Sequence, residues 1–273
     1  MMTATLICPC CSCGITCFTS GRKKESQLES EDYECLKREF LDTTDDSYVY
    51  LKQSEYAKID VNAMDKAGNT LGLIPSWTPT PGKAVDFWGK VWQVSCDTIV
   101  MLCTPDQLGS GIYFPEKEGD SSDAAPFLID RNLVKPGRHI SSKYLNVWLP
   151  GEGIRQVLHI HLLCGDLTGK TTQELLEIFL EIYHEVKERK LKFRKKTPTL
   201  VHCLYGPQWT GLFFAFSCVL GDIDFKKRFD RNHIIKLLKM SQRKFISSKE
   251  QHVILVEMIF HLIANPELYT KIA

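Results

Sequence analysis

One long stretch of this chain places its apolar residues at helical spacing. Leu175, Leu176, Phe179, Ile182, Tyr183 and Val186 fall on one face of residues 172–190. Residues three and four apart share a helix face, so the stripe predicts an amphipathic helix, which Thr171 or Thr172 can cap. Residues 232–240 and 248–264 carry two more helical patterns, the second stopped by Asn265-Pro266, and a shorter one runs through Tyr33, Leu36 and Phe40. Strand signals look different. Residues 98–103 are the run Thr-Ile-Val-Met-Leu-Cys, the pattern of a strand buried on both faces. Residues 156–162 pass less tidily through Val157, Leu158, Ile160 and Leu162 to a second strand. Residues 106–126 are rich in Gly, Ser, Asp and Pro and predict loops and turns. Residues 1–30 have no period: Cys-rich, then polar, they read as a tail before a single domain at 31–273.

Charge adds an exclusion. The 34 basic and 33 acidic residues leave no global field that would draw nucleic acid. The 44% of hydrophobic residues suits an ordinary globular core. Eleven cysteines are many, but Cys8, Cys10, Cys11, Cys13 and Cys17 crowd the tail and the other six are scattered. Scattered, odd-numbered cysteines predict reduced thiols in a cytoplasmic protein. No run approaches the roughly 20 apolar residues a bilayer span needs, and no secretory leader is legible. The tail cluster has three readings. It is a segment without a role, or it is S-acylated beside Arg22-Lys23-Lys24 and held at a membrane surface, or it binds metal, although no His precedes His139. The basic run 187–196 predicts a solvated helix end, with an acidic partner or a membrane as the alternative.

The densest chemistry lies at Val201-His202-Cys203-Leu204-Tyr205-Gly206-Pro207-Gln208-Trp209-Thr210-Gly211. An apolar lead-in ends in His-Cys, a short loop with a central Gly follows, and Thr-Gly opens an apolar run from Leu212 to Leu220. A strand that feeds a loop at a helix N-terminus makes a cradle of inward amides suited to phosphate. A thiol at its mouth feels the positive helix end, which favours the thiolate.

That loop resembles the signature loop of the classical protein tyrosine phosphatase family: His-Cys, five residues, Arg, Ser or Thr, Gly. Other blocks follow in the family's order. Val85-Asp86-Phe87-Trp88 through Val91-Trp92 is similar to its Asp-Phe-Trp block, Ile99-Val100-Met101-Leu102 to its Ile-Val-Met-Leu, Tyr113-Phe114-Pro115 to its Tyr-Trp-Pro, and Val61-Asn62-Ala63 to its Ile-Asn-Ala. The resemblance runs from about residue 40 to 264 and implies an α/β fold, a central twisted mixed sheet flanked by helices. It implies no cofactor and no metal. Carried over residue by residue, it makes Cys203 the nucleophile, Thr210 the hydroxyl that helps the thiolate leave, and Gln251 the second Gln of the water-positioning loop. Asp166 takes the place of the general acid, with a turn residue before Thr168-Gly169 as its other reading. The resemblance places His202, Gly206 and Gly211 in the phosphate loop, and Tyr48 either beside the substrate ring or in the core.

The departure that matters most is at one position of the loop. Trp209 stands where Arg clamps two phosphate oxygens, and it offers one N–H and no charge. Leu204 and Tyr205 replace Ser and Ala, Pro207 has no amide to give, Cys164 and Gly165 replace the Trp and Pro before the acid, and Ser247 replaces a Gln. A charged phosphoryl clamp is worth about 10³–10⁵ in rate. The expected function is therefore a binding or regulatory pseudophosphatase in tyrosine-phosphorylation signalling, partnered by proteins that include tyrosine-phosphorylated ones. Two alternatives stay open: a weakly active phosphatase working through a cysteinyl-phosphate, and a redox sensor using Cys203.

Overall fold

The computed structural model describes residues 72–117, 120, 124–193, 197–204, 207–226, 248–265 and 267–271. The tail with its five cysteines, Tyr48, Tyr205, Gly206, Ser247, Val61-Asn62-Ala63 and the helices expected at 31–41 and 232–240 lie outside the described residues.

Six strands form one mixed sheet: β1 (Leu73–Pro75), β2 (Thr98–Met101), β3 (Leu128–Pro136), β4 (Ile140–Leu149), β5 (Gly153–Leu162) and β6 (Thr199–His202). Their order across the sheet is β1-β6-β2-β5-β4-β3. The first four are parallel neighbours, and β4 and β3 are added antiparallel. The helices are α1 (Ala84–Gln93), α2 (Pro105–Leu108), α3 (Thr172–Phe193), α4 (Pro207–Lys226), α5 (Lys249–Ala264) and α6 (Glu267–Lys271).

Successive side chains on a strand point to opposite faces, and β2 shows why its whole run is apolar. Val100 joins the core beneath α3, α4 and α5, with Leu158, Ile160, Phe179, Phe213 and Ile259. Ile99 and Met101 join the opposite core, with Phe87, Trp88, Tyr113 and Phe114. The α/β expectation holds, and the sheet is covered on both faces.

The helix expected at 172–190 is α3, and Thr171 caps it. Its Oγ1 accepts the Glu174 N–H at 3.2 Å while the Glu174 carboxylate accepts the Thr171 N–H at 2.8 Å, a reciprocal pair closing the first turn. Residues 248–264 form α5, with the Ser248 side chain accepting from the Gln251 N–H. Three features differ from expectation. The loop segment 106–126 begins inside a short helix, capped by Thr104 and Gln107. The β3–β4 hairpin was not expected at all; Pro136-Gly137, at the turn where the Gly137 N–H donates to the Ile140 carbonyl at 2.8 Å, was its sequence signal. The basic run does not all face water: Lys190 Nζ lies 2.8 Å from Asp97 Oδ1, and Arg189 donates to the Gln156 carbonyl at 3.0 Å.

Because β1, β2, β5 and β6 run in parallel, the segments after their C-terminal ends come together. These are the segments that hold Thr78, Cys103, Asp166 and Cys203, and a parallel α/β sheet presents its ligand site at this edge. The Leu102 N–H donates to the His202 carbonyl at 2.8 Å and the Leu162 N–H to the Cys103 carbonyl at 3.2 Å, so the strands stay side by side as they leave the sheet.

Candidate active site

Cys203 leaves β6 with its side chain buried, in the same core cluster as Trp209. Four residues later α4 begins at Pro207. The missing amide hydrogen costs the helix nothing there, since the first N–H groups of a helix have no partner within it. Trp209 sits in that first turn and is only 8% exposed. The indole is therefore packed against the α3–α4–α5 core. Leu204 packs on the opposite core cluster. Gly211 is enclosed within α4.

His202 anchors the loop from behind. Its ring is fully buried, and burial pulls its pKa down to about 3, so the imidazole is neutral. Thr78 Oγ1 donates to the Cys203 carbonyl at 2.8 Å. With that one proton committed, the hydroxyl oxygen must accept from His202 Nδ1, 2.9 Å away. His202 Nε2 is then the bare nitrogen and accepts from the Tyr113 hydroxyl at 2.7 Å. The Tyr113 oxygen in turn accepts from His159 Nε2 at 2.8 Å. One directed chain, His159 to Tyr113 to His202 to Thr78, thus ends on the carbonyl of Cys203. Sequence reasoning missed Thr78 and His159. Thr78 is 124 residues from His202, so no local pattern could announce it.

Thr210 is buried, and its hydroxyl finds no hydrogen-bond partner among the described residues. Gln251 is buried too; its amide donates to the Gln208 carbonyl in the first turn of α4, tying α5 to the loop helix. Asp166 is exposed, and its Oδ1 accepts the Thr168 N–H at 3.1 Å, the bond of an Asx turn. Gly165 before it has φ +75°, which a proline fixed near −65° cannot adopt. The segment follows a path closed to a Trp-Pro-Asp loop, while Leu167 buries itself as the anchor.

Cys103 is a second thiol at this edge. Burial pushes its pKa up to about 12, and the neighbouring Cys203 adds to the rise, so it stays protonated. Among the described residues no group of three or more His, Cys, Asp or Glu could hold a metal ion. No helix among them is long and apolar enough to cross a membrane.

A family model described as Protein-tyrosine phosphatase matches residues 38–261. Receptor-type tyrosine-protein phosphatase eta of Gallus gallus is 24% identical over 214 residues, covering 76% of this chain and 15% of the relative. The human receptor-type tyrosine-protein phosphatase R is 25% identical over 201 residues, covering 68% of this chain and 28% of the relative. The chain thus spans less than a third of either relative. Among solved structures, the catalytic domain of human protein tyrosine phosphatase non-receptor type 18 superposes with a TM-score of 0.55 at 21% identity, covering 69% of this chain and 68% of that one. That likeness fixes the fold.

Proposed function

This chain belongs to the protein-tyrosine phosphatase family, and we propose that within it the protein acts by binding, as a pseudophosphatase with little or no turnover. The observation that carries the reading is Trp209: the position of the clamping Arg is occupied by an indole buried in the core. A phosphate entering the loop would shed water without meeting a guanidinium, and the cost of desolvating a charge would go uncompensated. The acid position points the same way, because the Asp166 carboxylate is engaged in its own turn. We place the protein in the cytoplasm, with a tail at 1–30 and a domain at 31–273, in tyrosine-phosphorylation signalling. Protein partners would include tyrosine-phosphorylated ones, and acylation at Cys8, Cys10, Cys11, Cys13 and Cys17 would add a membrane surface.

Residual phosphatase chemistry has one argument in its favour: Cys203 and Thr210 keep their places at the start of a 20-residue helix. Turnover of an aryl phosphate by purified full-length protein decides between the two. We expect no rate above that of a Cys203→Ser control. A Cys203-dependent rate within tenfold of an ordinary ~10 s⁻¹ overturns the binding reading. Trp209→Arg alone restores little, since Pro207, Gly165 and Ser247 remain.

A further inference from the structure

Most cations that reach into this fold meet an anion or a carbonyl. Lys190 pairs with Asp97, Lys135 with Glu185, Arg138 with Glu177, and Arg189 donates to the Gln156 carbonyl. Lys143, on β4, is different. It is 7% exposed, its Nζ lies 5.0 Å above the centre of the Phe114 ring, and among the described residues it makes no hydrogen bond and no salt bridge. The ammonium keeps a little contact with solvent, and a ring face returns only part of the hydration it has lost.

A second cation shares its face of the sheet. Arg131 on β3 stands opposite Leu145, two residues along β4 from Lys143, so the two side chains are diagonal neighbours on one face. Arg131 Nη1 donates to the Glu116 carbonyl, but its Nε is buried and has no partner among the described residues. The groups around the pair do not neutralise it. His159 lies directly opposite Lys143 on β5, and His161 follows two residues on; both rings are kept neutral by burial, and the charge of Lys143 depresses them further. Among the described residues Glu116 is the one carboxylate that acts on Lys143, and it is exposed. Burial and Arg131 both depress the Lys143 ammonium, the response of a cation that lacks a counter-ion.

The outer side of the patch is open. The register of β3 against β4 shifts between Arg131 and Val134, so Asn132 and Leu133 bulge from the edge strand, and Leu133 is 62% exposed. Arg131 is half-buried beside the bulge.

We infer that Lys143 and Arg131 form a binding site for a small free oxyanion, a phosphate or sulfate dianion. It lies at the β3 bulge and is separate from the Cys203 loop. A tetrahedral dianion supplies acceptors for the lysine donors and for the orphaned Nε, and its two charges match two cations. The depth of Lys143 favours an unencumbered ion over one carried on a tyrosine ring.

The test is the thermal unfolding midpoint of the full chain in inorganic phosphate against chloride at matched ionic strength. Phosphate at saturation should raise the midpoint by about 3–5 °C. Lys143→Met keeps the stem and removes the charge; it should abolish the phosphate-dependent rise without lowering the midpoint in chloride. Arg131→Gln, at the sheet edge, should at least halve the rise and covers the case in which the lysine variant does not fold. Free phosphotyrosine should give no rise that depends on Lys143. The site is overturned by equal midpoints in phosphate and chloride, or by a full rise retained in Lys143→Met or Arg131→Gln. An equal, Lys143-dependent rise with phosphotyrosine overturns its restriction to free ions.

Discussion

The two halves of the Cys203 loop are held in opposite ways. The first, Val201 to Cys203, is fixed by directed hydrogen bonds: Thr78 on the Cys203 carbonyl, and Tyr113 and Thr78 on the two nitrogens of His202. The second, Trp209 to Leu212, is fixed by apolar packing into the α3–α4–α5 core, and the Thr210 hydroxyl has no partner among the described residues. The polar half serves the sheet whether or not catalysis occurs, because a buried His-Cys strand end must satisfy its nitrogens and carbonyl. The apolar half puts an indole into the core where the family resemblance places a cation. If the protein acts by binding, as proposed, the residues that persist are those the structure itself requires.

The widest test of the polar half is acid. His161 and His202 are each held near pKa 3 by burial, against an ordinary value of about 6.5. Below 6.5 the unfolded chain takes up protons that the folded chain refuses, so stability falls with falling pH until the folded values are reached. Each histidine contributes about 1.4 kcal/mol per pH unit in that window. By pH 4 the two together remove on the order of 7 kcal/mol, comparable with the whole stability of a domain. His159, shifted in the same direction, adds to it. Urea midpoints should therefore drop steeply between pH 6.5 and 4. A flat profile across that range would show that the histidines are not buried neutral.

How much of this was legible in the sequence depends on the range of the interactions. The stripe of α3, the run of β2 and the loop's His-Cys and Thr-Gly are local patterns, and they placed α3, a central strand and the strand–loop–helix around Cys203. The β3–β4 hairpin escaped because its strands are half-exposed: Leu128, Leu133, Val134 and Trp148 face outward and blur any alternation. Trp209 was legible as a missing guanidinium, but its burial depends on α3 and α5, far away in the chain. Thr78 was invisible because the property that matters is its position opposite His202. Asp166 had two readings, an acid by resemblance and a turn residue before Thr168-Gly169, and its Asx bond to the Thr168 N–H shows the turn.

The apolar half is tested by Trp209→Ala. Removing a large buried aromatic costs about 3–5 kcal/mol, the transfer loss plus the cavity left behind. Equilibrium urea unfolding measures it. A loss below about 1 kcal/mol would mean that the indole lies on the surface and the loop stays open to anions.

Thr78→Val returns to the polar half with a smaller effect. The valine keeps the shape but leaves the Cys203 carbonyl and His202 Nδ1 without their partner. Each unpaired buried group costs about 1–3 kcal/mol. Thr78 is itself half-buried, so water can replace part of the loss, and the expected net is about 1–3 kcal/mol. His202 is the reporter: its ring NMR signals should shift with the change in tautomer, and unmoved signals would refute the directed chain.

The smallest effect separates the halves most sharply. Thr210→Val makes the same isosteric exchange as Thr78→Val on a hydroxyl that is buried and has no partner among the described residues. Here no hydrogen bond is lost, and the polar oxygen that was buried without return is removed. Replacing an unsatisfied buried polar group by an apolar one of the same shape is neutral to stabilising. The expected change is a gain of up to about 1 kcal/mol, opposite in sign to that at Thr78. In a working phosphatase the hydroxyl at this place helps the thiolate leave, and its loss would slow turnover. If this protein acts only by binding, Thr210→Val alters stability alone. Destabilisation by more than about 1 kcal/mol would mean that the hydroxyl is satisfied in solution and that the second half of the loop keeps polar order of its own.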